Sequence, residues 1–154
     1  MGSCCLPLVT GSDHLQRFIE AQANIYATVQ RELIRGHKTS HWMWFIFPQV
    51  RGLGSSKMAR KYAVASLDDA CDYLAHPLLG SRLRECVTVL QDLPQADAQK
   101  VFGNIDALKL QSSLTLFLRA GGGDLFEAAL QRWFSGQADE RTDQLLGQES
   151  IGDR

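Results

Sequence analysis

No apolar run in this chain approaches the roughly 20 residues that a membrane-crossing helix needs. A C-x-x-C pair is missing too. The cysteines Cys4, Cys5, Cys71 and Cys86 have no histidine at zinc-finger spacing, so a zinc module is excluded and reduced thiols are expected. Cys71 and Cys86 fall on apolar helical stripes, where a thiol acts as a small hydrophobe, and this usage predicts a cytoplasmic compartment. Charge of one sign is also lacking: 16 basic and 17 acidic residues leave a net charge of -1, which argues against a generic nucleic-acid or membrane coat. Alternating strand patterns and Asn-Gly hairpins do not occur. Nor does a P-loop, a catalytic triad or a paired-carboxylate motif, and nothing asks for a cofactor or a metal.

What remains is the material of one packed domain. A chain of 154 residues that is 45% hydrophobic can bury a substantial core. Residues 1–11 read as a flexible leader, 12–147 as a single helical domain and 148–154 as a flexible tail. From Asp13 to Arg35, apolar residues recur at three- and four-residue steps, predicting one helix with an Asp13/Gln16 capping box and a stop at Gly36. Ser55 or Ser56 can cap a short helix through Tyr62 and Ala63, and Ser66 the next. Pro77 suits the start of another, which Pro94 ends, with His76 as its entry residue. A turn over 97–102 and a break at Gly103-Asn104 precede a helix to Arg119. Gly121 to Gly123 end that helix, Asp124 caps its successor, and Asp139 caps a last short one. The expected fold is therefore all-α, a single compact orthogonal bundle of about seven helices.

Charge is unevenly spread. Residues 31–61 contain Arg31, Arg35, Lys38, Arg51, Lys57, Arg60 and Lys61 against Glu32 alone, a local +6 that would attract an anion. The same third holds the aromatic run 42–47, Trp42-Met43-Trp44-Phe45-Ile46-Phe47, which is ambiguous between a buried strand and a buried helical turn. Trp42 and Trp44 would share a face in a strand and lie about 200° apart in a helix. Most of the run reads as core, with at least one indole lining a cleft.

After Gln49 come Arg51-Gly52-Leu53-Gly54-Ser55-Ser56-Lys57, a turn that can bring backbone N–H groups and two cations to an anion, or can simply be a glycine loop with a serine cap. His37 and His41 are four apart but sit in a loop without a third ligand. Asp106, Lys109 and Ser113 share a helical face, where they are an ion pair beside small packing residues or a ligand-facing group. Ser112 belongs to the same stretch.

These residues resemble the domain-of-unknown-function 1810 family. The motifs are Phe18-x-x-Ala21-Gln22, Tyr26, Glu32-Leu33-x-x-Gly36-x-Lys38 and Ser40 to Gln49, then Gly52-Leu53-Gly54-x-Ser56 and Tyr62. Further on stand Tyr73-Leu74-x-His76-Pro77-x-Leu79-Gly80-x-Arg82-Leu83, the stretch from Phe102 to Phe117, and Phe134-Ser135-Gly136-x-x-Asp139-x-x-Thr142. The resemblance implies a mainly helical cytoplasmic domain and no particular activity. A calpastatin label carried by some relatives does not fit, because such an inhibitor is largely disordered and this composition is that of a packed domain.

The sequence points to a domain that binds an anionic or nucleotide-like small molecule. The anion would lie at Gly52 to Lys57, a ring at Trp42 or Trp44, and Gln49 would add amide hydrogen bonds. Ser112 and Ser113 are further candidate contacts. Whether it is an enzyme stays open; His41, Asp106 and Lys109 are the acid–base candidates. The alternative is a non-catalytic protein-interaction module, and binding of single-stranded nucleic acid is a weaker third.

Overall fold

The computed structural model describes residues 14–152, with side chains through residue 147. Asp13, the expected capping residue, and the leader lie outside the described residues. The stripe from 13 to 35 forms two helices, α1 (Gln16–Ala23) and α2 (Tyr26–Arg35), rather than one. At Asn24, with φ -101 and ψ 0, α1 ends. Beside this break Gln22 is buried and anchored, its amide donating to Phe45 O at 2.8 Å and to Tyr73 Oη at 3.1 Å. Gly36, at φ 76, stops α2 as expected, and His37 N reaches back to Glu32 O at 3.0 Å, closing a Schellman turn.

The aromatic run resolves as one helical turn, α3 (Met43–Ile46). Ser56 caps α4 (Lys57–Lys61) and Ser66 caps α5 (Leu67–Ala75), each hydroxyl accepting an amide three residues on. His76 is the entry to α6 (Leu79–Gln91), its Nδ1 taking the Leu78 and Leu79 amides. The stretch 98–102, expected as a turn, is helical under the Asp97 cap and forms the first part of α7 (Ala98–Arg119). Gly103 kinks α7 with φ 85 and ψ 168, at the expected break. Gly123, not Asp124, is the N-cap of α8 (Asp124–Phe134), because φ 84 at Gly123 already turns the chain into the helix.

Asp139 caps α9 (Glu140–Gly152), taking the Thr142 amide at 3.0 Å. The helix is longer than expected, its backbone continuing five residues into the segment read as a tail. Among the described residues there are nine helices and no strand, only an isolated parallel bridge between Val50 and Val64. The two beyond the expected seven come from the break at Asn24 and from α3.

α7 is the centre of the bundle. It packs against α5, α8 and α9, while α6 packs against α2, α5 and α8. From Ser112 to Phe117 every residue of α7 is buried, so the helix is enclosed on all sides there. Each fully buried large side chain, such as Phe117 or Phe126, contributes roughly 2–3 kcal/mol by leaving water. No described helix is long and apolar enough to cross a membrane.

Candidate functional site

The site starts from Glu32. Buried at 3% exposure, its carboxylate accepts Thr39 N at 2.9 Å, Ser40 N at 3.0 Å, both neighbouring hydroxyls, and the Trp42 indole N–H at 2.9 Å. Burial by itself pushes this carboxyl up, but the bonds from Ser40, Thr39 and Trp42 outweigh it and hold it down at about 2. The loop after α2 therefore wraps a carboxylate that stays ionised. This wrapping buries Trp42 completely. Two residues on, in the helical turn α3, Trp44 points elsewhere and stays half-buried.

The same loop carries Lys38, whose backbone N–H bonds Val101 O at 2.8 Å and so ties the loop to α7. Its side chain is 6% exposed, and the ammonium lies 2.7 Å from Asp106 Oδ2, 2.6 Å from Ser40 O and 5.0 Å from the centre of the Trp42 ring. Asp106 sits in the first turn after the Gly103 kink. It also faces Lys109 Nζ at 3.5 Å, and Lys109 stands over the Trp44 ring at 4.7 Å. Lys38, His41, Met43, Trp44, Phe102 and residues 103–106 line a cleft of about 400 Å³. Two segments more than 50 residues apart thus bring together His41, Trp44 and Asp106 among the expected residues and add Lys38, while Lys109 flanks the lining through its contacts with Asp106 and Trp44.

The glycine turn lies apart from this cleft, and none of Gln49, Arg51, Gly52, Gly54, Ser55, Ser56 or Lys57 lines it. Gln49 O takes Val64 N at 2.9 Å, and Arg51 N donates to Val64 O at 2.8 Å. Gly52 has φ 106 and its Cβ position is 3.2 Å from Leu145, so the turn packs on α9. At Gly54 a Cβ would stand 2.6 Å from that of Ala59. The Ser56 hydroxyl is spent on the cap, and α4 has five residues, too few to project a helix-end field. This geometry is that of a glycine loop with a serine cap.

Ser112 is likewise engaged. Its hydroxyl is 3.1 Å from both Leu108 O and Asp139 Oδ2, while Thr115 Oγ1 accepts Asp139 N at 2.8 Å. With Thr142 donating to the same carboxylate at 2.5 Å, these polar residues dock α9 onto α7. Ser113 is 1% exposed and its Oγ has no partner. His37 and His41 are exposed on their loop.

Sequence reading missed Lys38 and Glu32 as site-builders. The signal available was the spacing Glu32-Leu33-x-x-Gly36-x-Lys38 across a helix stop, but no local rule pairs Lys38 with Asp106. It also missed His14, whose Nε2 lies 3.4 Å from Asp72 Oδ2 and 3.7 Å from Asp69 Oδ1. The three donors lie within 4.8 Å of one another. The Nε2 position of His14 faces both carboxylates, and a hydrogen bond shared between them satisfies this arrangement.

A single all-α domain with a charged, tryptophan-lined cleft at the kink of its central helix is the class of protein these residues define. A family model described as a protein of unknown function (DUF1810) matches residues 12–146, and the chain belongs to that family. Among solved structures it is similar to the conserved hypothetical protein Rv1873 from Mycobacterium tuberculosis, with 47% identity and a TM-score of 0.84 over 86% of this chain and 96% of that one. Comparison with curated proteins gives no match.

Proposed function

We propose that the cleft between the 38–44 loop and the kink of α7 binds an anionic or nucleotide-like small molecule. The observation that carries this is the convergence of Lys38, His41, Trp44 and Asp106 on one concavity of about 400 Å³, with Lys109 flanking it against Asp106 and Trp44. That volume lies at the small end of ligand pockets, and a few polar groups beside an indole are their usual lining. Binding is favoured over catalysis. Both oxygens of Asp106 face ammonium groups, so it holds the lysines in place rather than standing free as a base.

A thermal-shift screen of nucleotides, aromatic acids and sugar phosphates tests the reading. A ligand that raises Tm for the wild type should lose its effect in Lys109→Ala and Trp44→Ala but keep it in Lys57→Ala. Equal loss in all three would move the site to the glycine turn. No shift from any ligand would sink the proposal.

One observation favours a second reading, a protein-interaction module. Ile105 and Leu108 are 71% and 64% exposed on one stripe of α7. They separate the cleft from a second hollow of about 510 Å³ near Trp133 and Phe134. Such exposed apolar ridges mark contact sites. Leu108→Asp, which lies outside the cleft lining, would abolish an interaction and leave ligand shifts intact.

A further inference from the structure

We infer that the ligand of the cleft is a planar aromatic acid carrying a single negative charge, its carboxylate on the ring or one atom removed from it. This rests on the cleft being a ligand site, and it narrows the anion from any phosphate or carboxylate to a monoanion.

The reasoning is a tally of donors and charges. The Lys38 ammonium has three N–H bonds to give. Asp106 Oδ2 at 2.7 Å and Ser40 O at 2.6 Å take two, and the face of Trp42 lies beside it. Nothing is left for a ligand. Lys109 differs, since its one carboxylate contact is 3.5 Å long and its other neighbour is the Trp44 ring. Flanking the cleft against the lining residues Asp106 and Trp44, it keeps a donor for an incoming group and is the natural counterion at the cleft's edge.

Among the charged residues here, Lys38 and Lys109 face Asp106, which leaves a net charge of one positive unit. Behind Ser40, the ionised Glu32 reduces the field further while its own oxygens are fully engaged. His41 is the other titratable group of the lining and lies exposed at the mouth. One carboxylate on Lys109 therefore neutralises the group of Lys38, Lys109 and Asp106. A phosphate monoester would bring a second charge close to Asp106 with no cation to meet it, and a poorly solvated unpaired charge is costly.

The ring requirement comes from Trp44. Its half-buried indole, together with Met43, Phe102 and Ile105, makes the apolar wall, and aromatic rings prefer an offset stack on such a surface. Lys109 Nζ is 4.7 Å from the centre of that indole. Because that ammonium covers part of the indole face, a ligand ring must stack offset from it, and an acid group attached directly or through one atom then meets Lys109.

The test uses 2-naphthoate, 2-naphthamide and 2-naphthyl phosphate, titrated at neutral pH and followed by the indole N–H signals of the three tryptophans in ¹⁵N-labelled protein. Trp42 and Trp133 bond Glu32 and Gln91 and are buried, so the Trp44 signal, assigned with Trp44→Phe, reports the cleft. The carboxylate should bind roughly tenfold tighter than the amide, the worth of one charge-assisted hydrogen bond. It should also bind tighter than the phosphate. Lys109→Gln, checked for an intact thermal transition, should erase the preference over the amide. Tighter binding of the phosphate, or an unchanged carboxylate-to-amide ratio in Lys109→Gln, overturns the monoanion assignment and leaves the ligand site standing. If none of the three moves the Trp44 signal, the ligand site itself fails and this assignment with it.

Discussion

Replacing Glu32 by Gln removes the charge around which the 37–42 loop is wound, while keeping size and one acceptor oxygen. In the wild type the carboxyl is held at about 2 against an ordinary value of 4.5. At 1.36 kcal/mol per unit that difference corresponds to roughly 3 kcal/mol of stability at neutral pH. Because the folded-state value is depressed, the contribution is complete above about 4.5 and is lost as pH falls toward 2. In Glu32→Gln the amide oxygen can keep the Thr39, Ser40 and Trp42 N–H bonds and the NH₂ can donate to the two hydroxyls, so the loss at pH 7 is that of the charge, about 3 kcal/mol. That is a large share of the roughly 5–15 kcal/mol by which a domain of this kind is stable.

Urea unfolding at several pH values between 2.5 and about 7 measures both quantities, with Trp42 fluorescence reporting its loss of burial. The wild type should lose stability between pH about 4.5 and 2 more steeply than the variant, by close to one proton. A variant with the wild-type pH slope would refute the reasoning, because the ionised group driving the slope would then not be Glu32.

Gly103→Ala should cost about 1–3 kcal/mol in urea unfolding. A Cβ there meets nothing within 4 Å, so the cost lies entirely in the φ 85, ψ 168 backbone, a region reserved for glycine. Losses beyond that range would point to a packing role instead. Gly80→Ala should be worse, about 3 kcal/mol or more, since its Cβ would stand 2.1 Å from Leu74 O and force α5 and α6 apart; a wild-type Tm would contradict this corner. Ser113→Ala should stabilise the protein by about 1 kcal/mol, as it deletes a buried hydroxyl that has no partner. A clear drop in Tm would mean that this hydroxyl has a partner in solution.

Much of the helix punctuation was legible because caps and stops act within a few residues. Ser56, Ser66, His76 and Asp139 start helices where their side chains meet amides two or three positions on, and Gly36 and Gly103 break helices through their own positive φ. The break at Asn24 was invisible. Its flanks keep helical periodicity, and the anchoring of Gln22 to Phe45 and Tyr73 is a long-range matter. The aromatic run was equally undecided, since an unbroken apolar stretch has no period to read.

The candidate site divides the same way. Asp106 and Lys109 could be placed together from their i, i+3 spacing alone. Lys38 could not, because its partner is 68 positions away and only the bond from its amide to Val101 O brings the loop onto α7. The positive third of the sequence suggested one site spanning His41 to Lys57. The folded chain separates these residues, with Trp42 buried over Glu32, the glycine turn against Leu145, and Trp44 in the cleft under the flanking Lys109.

Sequence alone determined an all-helical domain and those of its helix ends that are set by φ preferences and by hydrogen bonds between near neighbours. Tertiary structure decided which tryptophan faces outward, which lysine is spent on the fold and which remains available. Those outcomes depend on which donors reach Glu32 and Asp106 first, and that competition takes place between parts of the chain that meet only when it folds.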